Sequence, residues 1–264
     1  MPAVTLTTEW KADDIYNGII RGKLMSFCPG ITIIDNAGSI PPFNIAHASF
    51  VIRNTFSNYP EGTIHIICVH SEAREGQDHL IVGARGHIFI GADNGIFNLV
   101  LNSDPDFIIK IETNGASDEL EIFARSAAAL VLGKNPAELG TELKKLTERY
   151  PLRATIEKDV IIGSIIFIDS YGNAISNITH EVFFRVFENR TYRILIQSNR
   201  NYTDSISNKY SDVAVGDMLA RFNQLDLLEV AINGANMSEL FNISVGSVVR
   251  IDGKFKSPAA NQLF

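Results

Sequence analysis

The sequence predicts an α/β N-terminal domain with a central, mostly parallel sheet, followed by a smaller, mostly antiparallel β domain. Three observations carry this. Through residues 1–150, apolar runs fit for buried strands alternate with helical patterns, the signature of strands joined by crossover helices. In residues 151–264 the runs are short, β-like and separated by Gly, Asn, Asp and Ser. A chain of 264 residues that is 45% apolar is long for one domain and comfortable for two.

VTLTT (4–8) reads as the first buried strand, and Asp13 or Asp14 then caps a helix on which Ile15, Ile19, Ile20, Leu24 and Phe27 recur at helical spacing, stopped by Pro29-Gly30. ITIID is the second strand, and a second helix spans roughly Asn44 to Phe56. Strands follow at TIHIICV (63–69), LIVGA (80–84), HIFIGA (87–92) and FIIKIE (107–112). Asp118 with Glu121 three residues on is a capping box for an amphipathic helix through Leu130 that stops at Gly133. Asn135-Pro136 with Glu138 opens another, Pro standing where its missing N–H is harmless. The α/β domain ends near Tyr150-Pro151; beyond it VIIGSIIFID, AISNI, YRILIQ, MLARFN, LLEVAIN and SVVRID are the strands, with only short helical patches between them.

Several function classes fall away on composition. With 23 basic and 30 acidic residues the net charge is −7, and the scattered cations leave no patch to neutralise phosphates, so nucleic acid is not an expected partner. Cys28 and Cys68 stand far apart in apolar company and read as reduced, buried thiols. There is no leader-like N-terminus and no apolar run of membrane-spanning length, so the expected setting is the cytoplasm, away from membranes. Scans for GxxxxGK, HExxH, GxSxG and paired CxxC find nothing, and GARGHIFIG fails the GxGxxG spacing.

Less common stretches are informative. LTTEWKADDIYNG (6–18), SIPPFNI (39–45), YPEGTIH (59–65), GADNGIF (91–97), IDSYGNAISNI (168–178) and LLEVAINGAN (227–236) resemble, in order, LTTDFGxxDxYVG, IPPFDI, FPPGTVH, GPDNG, IDxFGNxxTNI and LEIAVNxGNA. These are patterns of the adenosine-forming S-adenosylmethionine hydrolases, relatives of the S-adenosylmethionine-dependent fluorinase and chlorinase, and the likeness covers nearly the whole chain. It implies S-adenosylmethionine or adenosine as the ligand, and a homotrimer whose site lies between one subunit's N-domain and the next subunit's C-domain.

The resemblance also assigns roles. Glu9 stands where the family has an Asp that holds the ribose hydroxyls, a task suited to a carboxylate accepting two O–H donors. Asp169 matches the acid facing the methionine ammonium, Asn173 the amide of the FGN motif, and Tyr171 replaces its Phe; Tyr210 in KYSDV falls where an aromatic packs the adenine, and Asn233 is retained from the last motif. DSYGN is equally a good type I turn sequence, so Asp169 and Asn173 suit ligand and turn alike. Gln224 and Asp226 replace the Ser and Gly that precede the LE pair in many relatives.

The catalytic loop departs furthest. Where the hydrolases have VVDPGVGTxRR and a later FHGRDIFAP, this chain has VHSEAREGQDH and SDELEIFAR: His70 stands at the Asp, Gln77 at the Arg (Asp78 if shifted by one), and Asp118 at the His. A His70–Asp118 pair could still take a proton from water, the carboxylate orienting the imidazole. The plain alternatives are a helix cap for Asp118, a polar strand terminus for His70 and a solvated turn for SEAREGQDH, with Arg74 another source of a guanidinium. Three functions stay open: hydrolysis of S-adenosylmethionine to adenosine and methionine, a halogenase reaction, and a non-catalytic trimer that binds S-adenosylmethionine or adenosine. No metal or other cofactor is implied, since the six His show no ligand spacing and displacement of a sulfonium needs no Lewis acid.

Overall fold

The computed structural model describes residues 2–113 and 118–253. The chain divides into two compact units, Met1–Pro151 and Leu152–Phe264. In the first, the elements run β1 (Val4–Thr8), α1 (Ile15–Phe27), β2 (Ile33–Ala37), α2 (Ile45–Thr55), β3 (Ile64–Cys68), β4 (His79–Ala84), β5 (His87–Ala92), α3 (Ile96–Leu101), β6 (Phe107–Ile111), α4 (Glu119–Val131) and β7 (Gly140–Glu142). The seven strands form one sheet in the order β2-β1-β3-β5-β4-β6-β7.

The sheet is mixed, which corrects the expectation of a mostly parallel one. β2, β1, β3 and β5 pair in parallel, but β4 pairs antiparallel with both β5 and β6, and β7 antiparallel with β6. The cause is local: Arg85 and Gly86, joining β4 to β5, both have positive φ (50° and 75°), the conformation of the tight turn that closes a hairpin. Two apolar runs so closely spaced cannot be linked by a crossover helix.

Strand β3 is buried at every position, and its side chains alternate between two helical layers. Ile64, Ile66 and Cys68 join the core under α1 and α4 with Leu24, Phe123 and Ala127. Ile67 and Val69 join the other core, under α2 and α3, with Ile52, Phe89 and Phe97. Asp14 caps α1 and Asn44 caps α2, each accepting a backbone N–H of the first turn. The helix expected after Asn135-Pro136 is only a 3-10 turn, Pro136–Glu138. Gly140 follows it, where a Cβ would lie 1.8 Å from the Lys110 carbonyl, so the backbone is drawn onto β6 as a strand. The short α3 has no periodicity long enough to announce it; it starts at Gly95, whose φ is 92°.

The second unit runs β8 (Thr155–Glu157), β9 (Val160–Ile168), β10 (Ala174–Thr179), α5 (His180–Phe187), β11 (Arg193–Ile196), β12 (Ser198–Thr203), β13 (Met218–Phe222), β14 (Leu227–Ile232), α6 (Met237–Leu240) and β15 (Val248–Asp252). Its strands pair antiparallel in the order β12-β11-β15-β9-β10-β14-β13, with β8 added beside β9. Ile161, Ile178, Phe183, Phe187, Val230 and Ile251 fill one core. Among the described residues no helix is long and apolar enough to cross a membrane.

One buried polar row crosses the first sheet. Thr5 of β1 bonds His65 Nδ1 of β3 at 2.7 Å, and His65 Nε2 meets His87 Nδ1 of β5 at 3.2 Å. Burial, with the neighbouring His87 second, lowers the His65 pKa from 6.5 to about 3. Above pH 6.5 the imidazole is neutral in folded and unfolded chains alike; below it only the unfolded chain takes the proton, so stability falls progressively until about pH 3. One such proton costs about 1.4 kcal/mol per pH unit. Denaturant midpoints measured from pH 7 to 4 are expected to decline more steeply in the wild type than in His65→Asn, which keeps an acceptor for Thr5 and cannot titrate.

Candidate active site

The first cluster stands at the carboxyl ends of β1, β3 and β5, the end of a parallel sheet where loops converge. Glu9 follows β1 directly, and its own N–H donates to the Cys68 carbonyl, which continues the ladder by one residue. Its carboxylate leaves the sheet and gathers two other segments: Oε2 accepts from the Phe43 N–H at 2.5 Å and Oε1 from the His70 N–H at 3.1 Å. Phe43 and His70 both hold left-handed backbone, at φ 62° and 49°, a conformation uncommon outside glycine. Charge-assisted bonds to their N–H groups help to hold them there.

The His70 backbone is held from its other side too. Asn94 Nδ2 donates to the carbonyls of His70 (3.0 Å) and Val69 (3.2 Å), while its Oδ1 accepts the Ile96 N–H at the start of α3. Gln77 Nε2 donates to the carbonyls of Glu72 (2.8 Å) and His70 (3.3 Å), stapling the loop from within. The imidazole lies edge-on to the Phe43 ring, centroids 5.4 Å apart, and that ring is 64% exposed. His70 and Gln77 are thus brought together, with Gln77 as a brace for the loop. Asp78 pairs with Lys110 at 2.8 Å, and Arg74 pairs with Glu72 at 3.5 Å on the surface.

Asp118 caps α4, its Oδ1 accepting the Glu121 N–H at 2.8 Å, and its other oxygen is 3.7 Å from Lys23 Nζ of α1. Glu119, next on α4, bears on the end of β3: burial first, then Glu119 and Glu9, push the Cys68 thiol far above its ordinary range, so it stays a neutral core group. Glu119 and Asn94 were not singled out from sequence. Asn94 lies in the GADNG stretch, and that motif was its only signal in the sequence; its burial is seen in the structure.

The second cluster surrounds an open cavity of about 650 Å³ in the C-terminal unit, lined by Tyr171, Asn173, Tyr210 and Asn236 among others. The turn from β9 to β10 forms one wall. Asp169 Oδ1 accepts the N–H groups of Tyr171 and Asn173, both at 2.9 Å, and Oδ2 accepts from Asn173 Nδ2 at 2.9 Å. Gly172 lets this turn rest on α6: its φ is 82°, and a Cβ there would lie 1.8 Å from Asn236 Oδ1. Tyr171, 79% exposed, projects at the rim.

Tyr210 forms another wall. Its hydroxyl donates to Glu229 Oε1 at 2.6 Å, and the Arg221 guanidinium lies over its ring, 4.9 Å from the centroid. Burial, then the bond to Glu229, push its pKa up to about 12, so the phenol keeps its proton. Glu229 is buried in β14 and also receives Asn223 Nδ2 at 3.4 Å. Glu229 is not among the site residues expected from sequence, although an acid inside an apolar strand needs a partner. Asn233 braces the loop beyond Tyr210, its Nδ2 donating to the Val213 carbonyl at 2.9 Å. Among the described residues no three His, Cys, Asp or Glu side chains are grouped as metal ligands.

Comparison with known proteins bears on both clusters. Residues 4–140 match the family model of the SAM hydroxide adenosyltransferase N-terminal domain, and residues 163–250 match that of its C-terminal domain. The (R)-S-adenosyl-L-methionine hydrolase of Thermus thermophilus is 25% identical over 95% of this chain and 100% of its own length. A fluorinase of an Actinoplanes species is 22% identical over 95% of this chain and 97% of its own. An uncharacterised conserved protein of Thermotoga maritima, of known structure, superimposes with a TM-score of 0.83 at 22% identity, covering 94% of this chain and 99% of that one.

The turn geometry yields a stability prediction. Gly76 has φ 78° with open space around it, whereas Gly172 combines positive φ with the approach of Asn236. Gly76→Ala is expected to cost about 1–2 kcal/mol, the ordinary left-handed penalty. Gly172→Ala should cost clearly more in the same denaturant titration, since backbone strain and a steric clash add.

Proposed function

The chain belongs to the SAM hydroxide adenosyltransferase family, and on that premise we propose that it hydrolyses S-adenosyl-L-methionine to adenosine and L-methionine. Water or hydroxide attacks the ribose C5′; the C5′–S bond breaks with its electron pair going to sulfur, and the water gives up a proton. The observation that carries the reading is the C-terminal cavity, within the volume range of small-molecule sites, in which an aromatic wall stands beside an anchored amide. Tyr210, backed by Arg221, offers a face to the purine, and Tyr171 closes the rim.

In this reading Glu9 holds the ribose diol. Each of its oxygens accepts one backbone N–H and, as a carboxylate oxygen, keeps a further acceptor site for a ligand hydroxyl. Asp169 likewise retains acceptor capacity on Oδ2 for the methionine ammonium. His70 is the base: an imidazole next to an exposed aromatic ring, on a backbone held from both sides, is preorganised to receive the proton. Asp118 supplies negative charge at the start of α4. The sulfonium makes methionine a good leaving group, so placement and exclusion of water do most of the remaining work. The reading takes the protein as a cytoplasmic homotrimer in which neighbouring copies complete each site. S-Adenosylmethionine is substrate, and no other cofactor is invoked.

A second reading, a trimer that binds S-adenosylmethionine or adenosine without turnover, is favoured by one observation. Gln77 is spent on loop carbonyls and Asp118 on its helix and Lys23, so both groups have structural work. Incubation with S-adenosylmethionine, with and without chloride or fluoride, followed by chromatography, separates the possibilities: adenosine in both conditions supports the hydrolase, halo-adenosine a halogenase, and recovered substrate the binder.

His70→Asn is expected to lower kcat about a hundredfold or more, the range for loss of a general base. Asp118→Asn keeps an equally good helix cap and removes only the charge. Its kcat is expected to fall less than that of His70→Asn, and unchanged rates in both variants would exclude the pair from the mechanism.

A further inference from the structure

Two consecutive residues hold both ends of the loop that carries His70. That loop leaves β3 after Cys68 and enters β4 at His79. At its entry, Asn94 Nδ2 donates to the carbonyls of Val69 and His70. At its exit, the Asp93 N–H donates to the Asp78 carbonyl at 2.8 Å, extending by one residue the register in which His79 faces Ala92. The loop is therefore only as fixed as the Asp93-Asn94 turn between β5 and α3.

That turn is itself clasped from far along the chain. Asp93 Oδ1 and Oδ2 accept the Thr147 N–H at 3.0 and 3.2 Å, and Oδ2 also accepts the Thr147 hydroxyl at 3.0 Å. Thr147 belongs to an irregular strap, residues 143–149, that follows β7 and is pinned at both ends. Leu143 donates its N–H to the Ile108 carbonyl of β6 at 2.8 Å, and Leu143 and Leu146 pack on the core under α2 and α3. At the other end the Arg149 N–H donates to Asn98 Oδ1 at 3.3 Å, and the Arg149 side chain crosses Gly95, where a Cβ would lie 2.4 Å from its Cγ. A carboxylate that accepts an N–H on both oxygens and an O–H on one has committed most of its acceptor directions to the strap. Asp93 is thus held by a residue 54 positions away.

We propose that the Thr147–Asp93 clasp is a positioning device for the reaction: it fixes the Asp93-Asn94 turn and, through it, the left-handed backbone of His70 that aims the base. The inference rests on the hydrolase reading with His70 as base, and deepens it by naming what holds that base in line. Asp93, Asn94 and Thr147 act only through the loop and are positioning residues. None of the three lines the C-terminal cavity, so loosening them slows turnover more than it weakens substrate binding. A base displaced by about 1 Å loses up to about a hundredfold in rate.

Steady-state kinetics and hydrogen exchange on the full chain test this together. Asp93→Ala, which removes the acceptor of the clasp, is expected to lower kcat about tenfold or more, with KM for S-adenosylmethionine changed by less than about threefold. Thr147→Val removes only the hydroxyl bond and should lower kcat about twofold to fivefold, whereas Thr147→Ser restores that bond and should return the rate. By mass spectrometry, the peptide spanning residues 69–78 should exchange faster in Asp93→Ala and Thr147→Val than in wild type, although neither substitution lies within it. Thermal melts establish that each variant is folded, and Thr147→Val, the gentler change, carries the test should Asp93→Ala not fold. A clasp that merely stabilises the fold would lower the melting temperature and leave both kcat and the exchange of residues 69–78 as in wild type; that result overturns the inference while the hydrolase reading stands. Faster exchange with unchanged kcat, or slower turnover with unchanged exchange, overturns it equally. If wild type releases no adenosine, the hydrolase reading falls and takes the inference with it.

Discussion

In each unit a carboxylate stands just past a strand and collects two backbone N–H groups that the chain beyond it leaves outside any ladder. Glu9 takes those of Phe43 and His70; Asp169 takes those of Tyr171 and Asn173. Unpaired N–H groups at a half-buried site cost about as much as a lost hydrogen bond, and an ionised acceptor offsets that more strongly than a neutral one. The rest of both clusters depends on this. Without Glu9, two left-handed residues from separate loops lose what ties them to β1. Without Asp169, the turn that orients Asn173 and rests Gly172 on α6 loses its centre.

The two carboxylates do this at different ranges. Asp169 closes a turn on residues two and four positions ahead, a local device available to any Asp in an Asx turn. Glu9 reaches residues 34 and 61 positions away, so its contacts exist only once β1, β3 and the segment before α2 are assembled. One half-site is therefore encoded locally and the other by topology. The parallel register of β1 and β3, Thr8 beside Cys68, sets Glu9 within reach of the residues that leave β3.

That difference explains what the sequence could reveal. Helix caps were legible: Asp14, Asn44 and Asp118 each accept a first-turn N–H, because capping is a matter of nearest neighbours. Most strands were legible from apolar runs. The antiparallel insertion of β4 was not, since Arg85-Gly86 reads as a turn only when its left-handed geometry is seen. The edge strands β8 and β12 were missed because they are largely exposed and carry no apolar pattern. At the candidate site, residues inside recognisable motifs were visible, but the groups behind them were not. Glu229 and Arg221 matter through Tyr210, a residue 19 positions from one and 11 from the other, and no periodicity links them.

Building a site and binding a ligand need not compete for the same carboxylate. An ionised carboxyl group offers about four acceptor directions, and two N–H bonds leave it roughly half of them. A residue so placed is held by the fold at one edge and open to donors at the other, which is preorganisation without added side chains. Asn173 extends the logic to a neutral group, its NH2 anchored by two acceptors. One amide in the wall of the C-terminal cavity is thus held by acceptors beside and behind it. Glu229 takes the proton of the phenol, so Tyr210 stands in the wall as an aromatic face whose hydroxyl proton is already engaged.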